Sequence, residues 1–100
     1  MGGCRISVCI PSYNHARFLP QTIDSVLQQT FDDFEILIID DCSADGTEAT
    51  VKPYALRNPR IRFTVNPENL GMVRNWNLCL AEARGKYINP NYARVEPKRA

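Results

Sequence analysis

The stretch that decides the fold is Phe34-Glu35-Ile36-Leu37-Ile38-Ile39, which is followed directly by Asp40 and Asp41. It is a nearly unbroken apolar run with the composition of a β-strand. A strand this apolar is usually covered on both faces, as happens in a parallel sheet that has helices on either side. We therefore expect a sheet of parallel strands whose connections are helices.

The rest of the chain, followed outward from this strand, alternates between strand and helix patterns. β-rich segments predict strands, and apolar residues at helical spacing predict helices. The expected strands are 6–10, 34–39, 61–65 and one that begins at 86–88, and the expected helices are 17–29, about 45–56 and 72 to about 84. Right-handed crossovers then give an α/β fold with three layers (α/β/α), a Rossmann-like parallel sheet in the order 3-2-1-4.

Local signals suggest how the first two helices begin. Asn14 is a candidate N-cap for the first helix, and Asp45 with Glu48 resembles a capping box for the second. Pro53 lies inside the second helix, where it is expected to kink or shorten it.

Length, composition and charge exclude several classes of protein. The chain has 100 residues, of which 44% are hydrophobic and 23% charged, so we expect one globular domain. A net charge of +1 gives no strong attraction to nucleic acid or to anionic lipid. The four cysteines form no CxxC pair, and no run is long enough for a membrane span. These features predict reduced thiols and a location in the cytoplasm or at the cytoplasmic face of the membrane.

The residues that can carry chemistry follow the strands. In open parallel sheets, ligands bind outside the carboxyl ends of the strands, here at 11–14, 40–45 and 66–71. Asp40 and Asp41 are adjacent, so they cannot point the same way. We expect one to anchor the following turn and the other to be free for a ligand, with two turn-forming residues as the alternative. Tyr13 either packs under its loop or offers a flat surface to a base.

The third helix mixes two kinds of residue. Trp76 lies at helical spacing with Met72 and Leu80, which predicts that all three face the core. Arg74 belongs either to a solvated helix face or to an anion site near the helix N-terminus. The chain has no GxGxxG, P-loop, GxSxG or HExxH pattern, which removes the common dinucleotide, kinase, hydrolase and zinc-protease classes.

Several ordered segments together resemble the start of a family 2 glycosyltransferase with the GT-A fold. The strand and loop 6–14, the helix segment 25–30 with 34–36, and 39–47, which is similar to the DD-x-S-x-D-x-T signature, occur in the family's order. The segments 69–71, 74–75 and 83–88 continue that order. The resemblance assigns 4–88 to the N-terminal, nucleotide-sugar-binding part of such a domain and leaves 89–100 as an irregular tail.

The resemblance also implies a donor and a set of contacts. The donor is a nucleotide sugar, with UDP as the expected nucleotide. Pro11 and Tyr13 stand where the family lines the nucleobase and ribose, and Asp41 matches the residue that meets the base. Arg74 and Asn75 border the same pocket.

The sequence departs from the family after Ile88. The family has a D-x-D motif there that holds Mg²⁺ or Mn²⁺ on the donor diphosphate, whereas this chain has no D-x-D beyond that point. We therefore expect no metal bound by this chain and no catalytic residue within it. We therefore interpret the chain as the donor-binding half of a longer enzyme, truncated and inactive on its own. Its fourth strand is expected to leave an open sheet edge at which copies of the chain can associate.

Two other classes of function remain open. A non-catalytic nucleotide-binding or interaction module is the alternative that fits a chain without the metal motif. A receiver-type signalling domain would need an aspartate after the third strand, but Thr64-Val65-Asn66 stands there.

Overall fold

The computed structural model describes residues 6–14, 16–28 and 33–85, and the backbone of 87–89. The elements are, in chain order, β1 (Ile6–Ser12), α1 (Leu19–Leu27), β2 (Phe34–Asp40), α2 (Thr47–Arg57), β3 (Ile61–Val65), α3 (Met72–Glu82) and β4 (Tyr87–Asn89). All strand pairs are parallel, and the sheet order is β3-β2-β1-β4, which confirms the predicted fold and order. The predicted tail lies outside the described residues except for Asn89, which belongs to β4.

The helices cover both faces of the sheet. Every residue of β2 is buried, as its composition predicts. Ile36 and Ile38 face α1 and α2 in one cluster, while Leu37 and Ile39 face α3 in the other. This alternation along β2 gives the three predicted layers.

β1 is two residues longer than predicted, because Pro11 and Ser12 continue the strand. The amide of Ile6 and the carbonyl of Ser12 both bond toward β2. Alternate residues of a parallel strand bond to opposite neighbours, so the nitrogen of Pro11 faces the other side. Within the described residues, the pairing of β4 with β1 ends at Val8, so no described strand needs an N–H donor from Pro11.

α1 begins at Leu19 rather than at Arg17, and Asn14 is not its N-cap. The N-cap is Phe18, and Pro20 occupies the first turn, where a missing N–H costs nothing. The side chain of Asn14 instead bonds to the loop after β2, so that prediction was wrong. The predicted end of α1 at Gln29 lies outside the described residues.

The predicted capping box of α2 is also absent. Asp45 accepts a hydrogen bond from the Thr47 N–H at 3.2 Å, but Glu48 pairs with Lys52 at 3.5 Å instead of returning to the helix start. Pro53 does not end the helix. It lies on the exposed side of α2, where water can solvate the carbonyl that loses its partner.

α3 packs on the sheet by a face that overlaps the predicted one in part. Cys79 is buried in the core on that side of the sheet, and Trp76 packs against the same cluster, as predicted. Asn75 and Cys79 are its buried residues, and Trp76 is half-buried. Met72 and Leu80, expected in the core, are exposed. The prediction for Met72 and Leu80 failed because the helix turns a buried asparagine toward the sheet. An analysis of apolar periodicity counts asparagine as polar and places it on the solvent side.

A buried polar network joins the elements at the amino ends of the strands. Glu35 of β2 accepts hydrogen bonds from Ser7 Oγ at 2.6 Å, Arg62 Nε at 2.8 Å and the Arg84 N–H at 2.7 Å. Ser7 Oγ in turn accepts from the Gly85 N–H at 2.7 Å. One carboxylate therefore fixes β1, β2, β3 and the connection from α3 to β4.

Candidate functional site

Two adjacent aspartates organise the loops at the carboxyl edge of the sheet, and each of them bonds to different loops. Asp40 is 1% exposed. Its Oδ1 accepts from Ser12 Oγ at 2.7 Å and Ser43 Oγ at 2.6 Å, and its Oδ2 accepts from the Ser43 N–H at 2.8 Å. Asp40 therefore ties the end of β1 to the turn after β2, as predicted for one member of the pair.

Asp41 is bound to the loop after β3 and is not free. It is 2% exposed. Its Oδ1 accepts from the Leu70 N–H at 2.8 Å and from Asn66 Nδ2 at 2.9 Å, and its Oδ2 accepts from the Gly71 N–H at 2.9 Å. Gly71 is the N-cap of α3 and has no side chain to offer. From its position directly after β2, Asp41 thus supplies a cap for α3, and the expectation of an unengaged carboxylate was wrong.

A chain of buried amides extends from Asp41 into the sheet. Asn66 Nδ2 also donates to Asn75 Oδ1 at 2.9 Å, and Asn75 Nδ2 donates to the Ile39 carbonyl at 2.9 Å. The groups at the two ends of this series, the Asp41 carboxylate and the Ile39 carbonyl, can only accept hydrogen bonds. The orientation of both amides is therefore fixed. Asn75, predicted to border the pocket, is 2% exposed. Asn66 belongs to the segment 66–71 that was expected at the ligand edge, but it was not singled out as a contact residue.

The loops after β1 and β2 are bonded to each other. The Asn14 N–H donates to Ser43 Oγ at 2.7 Å, and Asn14 Oδ1 accepts from the Ala44 N–H at 3.1 Å. Asn14 has a left-handed backbone with φ of 56°, which asparagine tolerates better than most residues. Asp45 accepts from the Ala16 N–H at 3.0 Å. The two loops therefore form one connected surface.

Asp45 also accepts a short hydrogen bond from Thr47 Oγ1. Its burial acts to raise the pKa of the Asp45 carboxyl, but the hydrogen bonds from Thr47 and Ala16 outweigh that effect and lower it. The Asp45 carboxyl group is therefore charged at neutral pH, and it accepts hydrogen bonds from the first residue of α2.

The five predicted site residues are at the same edge but differ in exposure. Tyr13 is 50% exposed directly after β1, and Arg74 is exposed in the first turn of α3. Pro11, Asp41 and Asn75 are buried. The Asp41 N–H donates to the Ser12 carbonyl at 2.8 Å, so the ends of β1 and β2 are direct neighbours. Contact of these residues with a nucleotide stays a prediction.

A divalent metal does not fit the aspartate pair. All four carboxylate oxygens of Asp40 and Asp41 already accept hydrogen bonds from N–H or O–H groups, so a cation there would compete with donors that are already in place. Among the described residues, no three acidic, histidine or cysteine side chains come together as metal ligands.

No helix formed by the described residues is long and apolar enough to cross a membrane.

Comparison with known proteins decides the family. The family described as "Glycosyl transferase family 2" matches residues 7–89. The chain belongs to glycosyl transferase family 2. This confirms the resemblance drawn from the sequence.

The relatives of the chain include enzymes of polysaccharide synthesis. It is 37% identical over 83 residues to the putative teichuronic acid biosynthesis glycosyltransferase TuaG of Bacillus subtilis, a match that covers 83% of this chain and 33% of TuaG. The chain therefore spans about a third of the length of that relative.

Two solved structures superimpose on the chain. The mannosyltransferase PcManGT from Pyrobaculum calidifontis, in complex with GDP-Man and Mn²⁺, has a TM-score of 0.77 and 26% identity over 86% of this chain and 26% of its own. S. aureus TarS 1–349 in complex with UDP has a TM-score of 0.76 and 28% identity over 84% of this chain and 25% of its own. Both confirm the GT-A class of fold.

Proposed function

We propose that this chain binds the nucleotide part of a nucleotide-sugar donor, and that it is the donor half of a transferase of cell-envelope polysaccharide synthesis. The observation that carries the proposal is the pre-formed carboxyl edge of the sheet. Asp40 and Asp41 bond the three loops after β1, β2 and β3 into one surface. Tyr13 and Arg74 remain exposed at this edge. Ligands of open α/β sheets bind at such an edge.

UDP is the nucleotide that we propose. The structure of TarS with UDP and that of PcManGT with GDP-Man support a nucleoside diphosphate in general. The ring of Tyr13 offers a surface for base stacking, and Arg74 offers a guanidinium for an anionic group. Asp41 acts by holding the loop 66–71 that forms one wall.

Calorimetric titration with UDP tests this proposal, with GDP as the competing nucleotide. We expect UDP to bind without metal, and Tyr13→Ala to weaken binding by at least fivefold, because base stacking contributes about 1–3 kcal/mol. Arg74→Ala is expected to weaken it severalfold. Arg57→Ala is the matched control, since Arg57 ends α2 at the opposite edge of the sheet and should leave affinity unchanged.

Asp41→Asn is expected to weaken UDP binding tenfold or more and to destabilise the fold as well. The new NH₂ group would face an N–H donor, and a lost hydrogen bond to a charged group costs about 1.5–3 kcal/mol. Absence of any heat with UDP at millimolar concentration would contradict the proposed function. Unchanged affinity in Asp41→Asn would remove Asp41 from the site.

We further propose that the chain alone transfers no sugar. In the longer family members, Mg²⁺ or Mn²⁺ would neutralise the departing diphosphate. This sequence has no D-x-D after Ile88, and every carboxylate oxygen of Asp40 and Asp41 already accepts a hydrogen bond. The measurement is UDP release from a UDP-sugar with Mn²⁺ and a carbohydrate acceptor. Metal-dependent release by the purified chain would contradict the proposal.

A non-catalytic nucleotide-binding module is the second candidate function, and the hydrogen bonds that Asp40 and Asp41 already accept favour it over a receiver domain. A receiver needs free carboxylates for Mg²⁺.

We place the chain in the cytoplasm, in keeping with Cys9, Cys42 and Cys79, which are free thiols.

A further inference from the structure

The two oxygens of the Asp41 carboxylate differ in how many hydrogen bonds they already accept. A carboxylate oxygen can accept two. Oδ1 accepts two, from the Leu70 N–H at 2.8 Å and from Asn66 Nδ2 at 2.9 Å. Among the described residues, Oδ2 accepts from the Gly71 N–H alone, at 2.9 Å. The described protein groups therefore fill Oδ1 and leave one acceptor position on Oδ2.

This acceptor position lies beside the surface proposed for the base. The Asp41 N–H donates to the Ser12 carbonyl at 2.8 Å, and the next residue, Tyr13, is 50% exposed. A base that stacks on the ring of Tyr13 would therefore lie next to Asp41. The side chain of Asp41 belongs to a residue that is only 2% exposed, which suits one contact with the edge of a base rather than two.

Nucleobases differ in the number of N–H donors that they present on one edge. Uracil has one imino N–H between two carbonyl groups, whereas guanine has an N1–H and an N2–H side by side. Guanine pairs with both oxygens of a free carboxylate, but at Asp41 the acceptor positions of Oδ1 are taken by Leu70 and Asn66. The second N–H of guanine would be left without an acceptor, which is costly in a buried site. The fold alone does not make this choice, since TarS with UDP and PcManGT with GDP-Man share it.

Asn66 is the side chain that fills Oδ1. It is 6% exposed, and its second amide hydrogen is donated to Asn75 Oδ1 at 2.9 Å, which holds the amide in place against Asp41. We propose that Asn66 is a positioning residue that acts through Asp41 to set the base preference of the site, favouring a base with a single N–H donor, such as uracil, over guanine. This inference rests on the proposed binding of a nucleotide at this edge.

Calorimetric titration of the whole chain with UDP, GDP and inosine diphosphate, without metal, tests the proposal. Inosine diphosphate has the purine ring system of GDP but lacks the N2 amino group, so it presents one N–H donor instead of two. We expect the native protein to bind inosine diphosphate at least about fivefold more tightly than GDP, because the extra N–H of guanine finds no acceptor. This comparison requires no substitution, so it does not depend on the folding of a variant.

Asn66→Ala should remove most of this difference between the two purine nucleotides. The substitution opens one acceptor position on Asp41 Oδ1, so the affinity for GDP relative to inosine diphosphate should rise at least about fivefold. Cys79→Ala is the matched control. Cys79 is buried in α3 against the same face of the sheet, so its replacement weakens the packing of α3 without removing a hydrogen bond to Asp41. The native ratio of affinities should persist in Cys79→Ala, and circular dichroism establishes that both variants keep the fold.

The outcomes separate this inference from the proposed function. Native protein that binds GDP and inosine diphosphate equally would overturn the inference, as would UDP binding with no binding of either purine nucleotide in native protein or in Asn66→Ala. A ratio that Asn66→Ala leaves unchanged, or that Cys79→Ala shifts equally, would also overturn it. In each of these cases UDP binding by the native protein would still support the proposed function. Native protein that binds no nucleotide at all would contradict the proposed function and this inference together.

Discussion

Replacing Glu35 by glutamine tests the buried network that holds the amino ends of the strands. Glu35 is buried and accepts three hydrogen bonds, from Ser7, Arg62 and the Arg84 N–H. A glutamine can accept with one oxygen only, so its NH₂ group would face a donor, and Arg62 would lose its counter-charge. Breaking a buried charged pair on one side costs about 3–5 kcal/mol, and single bonds to charged groups about 1.5–3 kcal/mol. Since the glutamine side chain would retain part of the network, we expect a loss of about 3 kcal/mol in the free energy of unfolding.

The dependence of this effect on pH gives a second, independent signature. Burial alone would raise the pKa of Glu35, but the hydrogen bonds from Arg62, Ser7 and Arg84 outweigh it and lower the pKa below its ordinary value of 4.5. A carboxylate with a lowered pKa stabilises the fold above its unfolded pKa, and the contribution is lost as pH falls toward the folded value. The difference in unfolding free energy between native protein and Glu35→Gln should therefore shrink as the pH falls below 4.5.

Urea denaturation followed by far-ultraviolet circular dichroism measures both effects. Glu48→Gln is the matched control, because Glu48 forms an exposed pair with Lys52 that should contribute less than about 1 kcal/mol. A Glu35→Gln protein within about 0.5 kcal/mol of the native one at pH 7 would refute the reasoning. So would a difference that stays constant down to about pH 3.

Two further predictions follow from packing and from thiol environment. Gly85→Ala should destabilise the fold by about 2–3 kcal/mol in the same urea assay, because its Cβ would lie 2.6 Å from the backbone nitrogen of Ser7, which cannot move aside; stability equal to the native protein would contradict this. Cys42 is exposed and should be alkylated by iodoacetamide at pH 8 within minutes, as read by mass spectrometry of its peptide. Cys9 and Cys79 should stay unmodified in the folded protein, because burial raises their thiol pKa to about 11 and about 12; rapid labelling of either would show that the core opens.

The topology was predictable because it depends on local pattern and general rules. The apolar run at 34–39 required cover on both faces, and alternating strands and helices with right-handed crossovers left few sheet orders. Over the described residues, the strands of the structure are the four that were expected. Their bounds and those of the helices differ from the predicted ones where a proline is tolerated, as at Pro11, or where a cap was misassigned, as at Asn14.

The side-chain partners at the site were not predictable from the sequence. Asp41 is bonded to Leu70 and Gly71, which lie 29 and 30 positions away in the chain. Nothing in a turn signature shows which distant backbone amides will converge on a carboxylate. The same limit explains the error on α3, where the buried Asn75 is satisfied by groups from β2 and from the loop after β3 that periodicity does not include.

The engagement of Asp41 bears on how a nucleotide can bind at this edge. A base that donates an N–H to Asp41 would have to add to, or replace, one of the three donors already present. Replacing the amide of Asn66 is an exchange of one donor for another, whereas replacing the Gly71 N–H would leave the start of α3 without its cap. Donor binding and the position of the loop 66–71 are therefore coupled through one carboxylate. On this reasoning Asp41→Asn should lower both UDP affinity and stability, whereas Tyr13→Ala should lower affinity alone. Equal stability of the two variants in urea would show that Asp41 does not hold the loop.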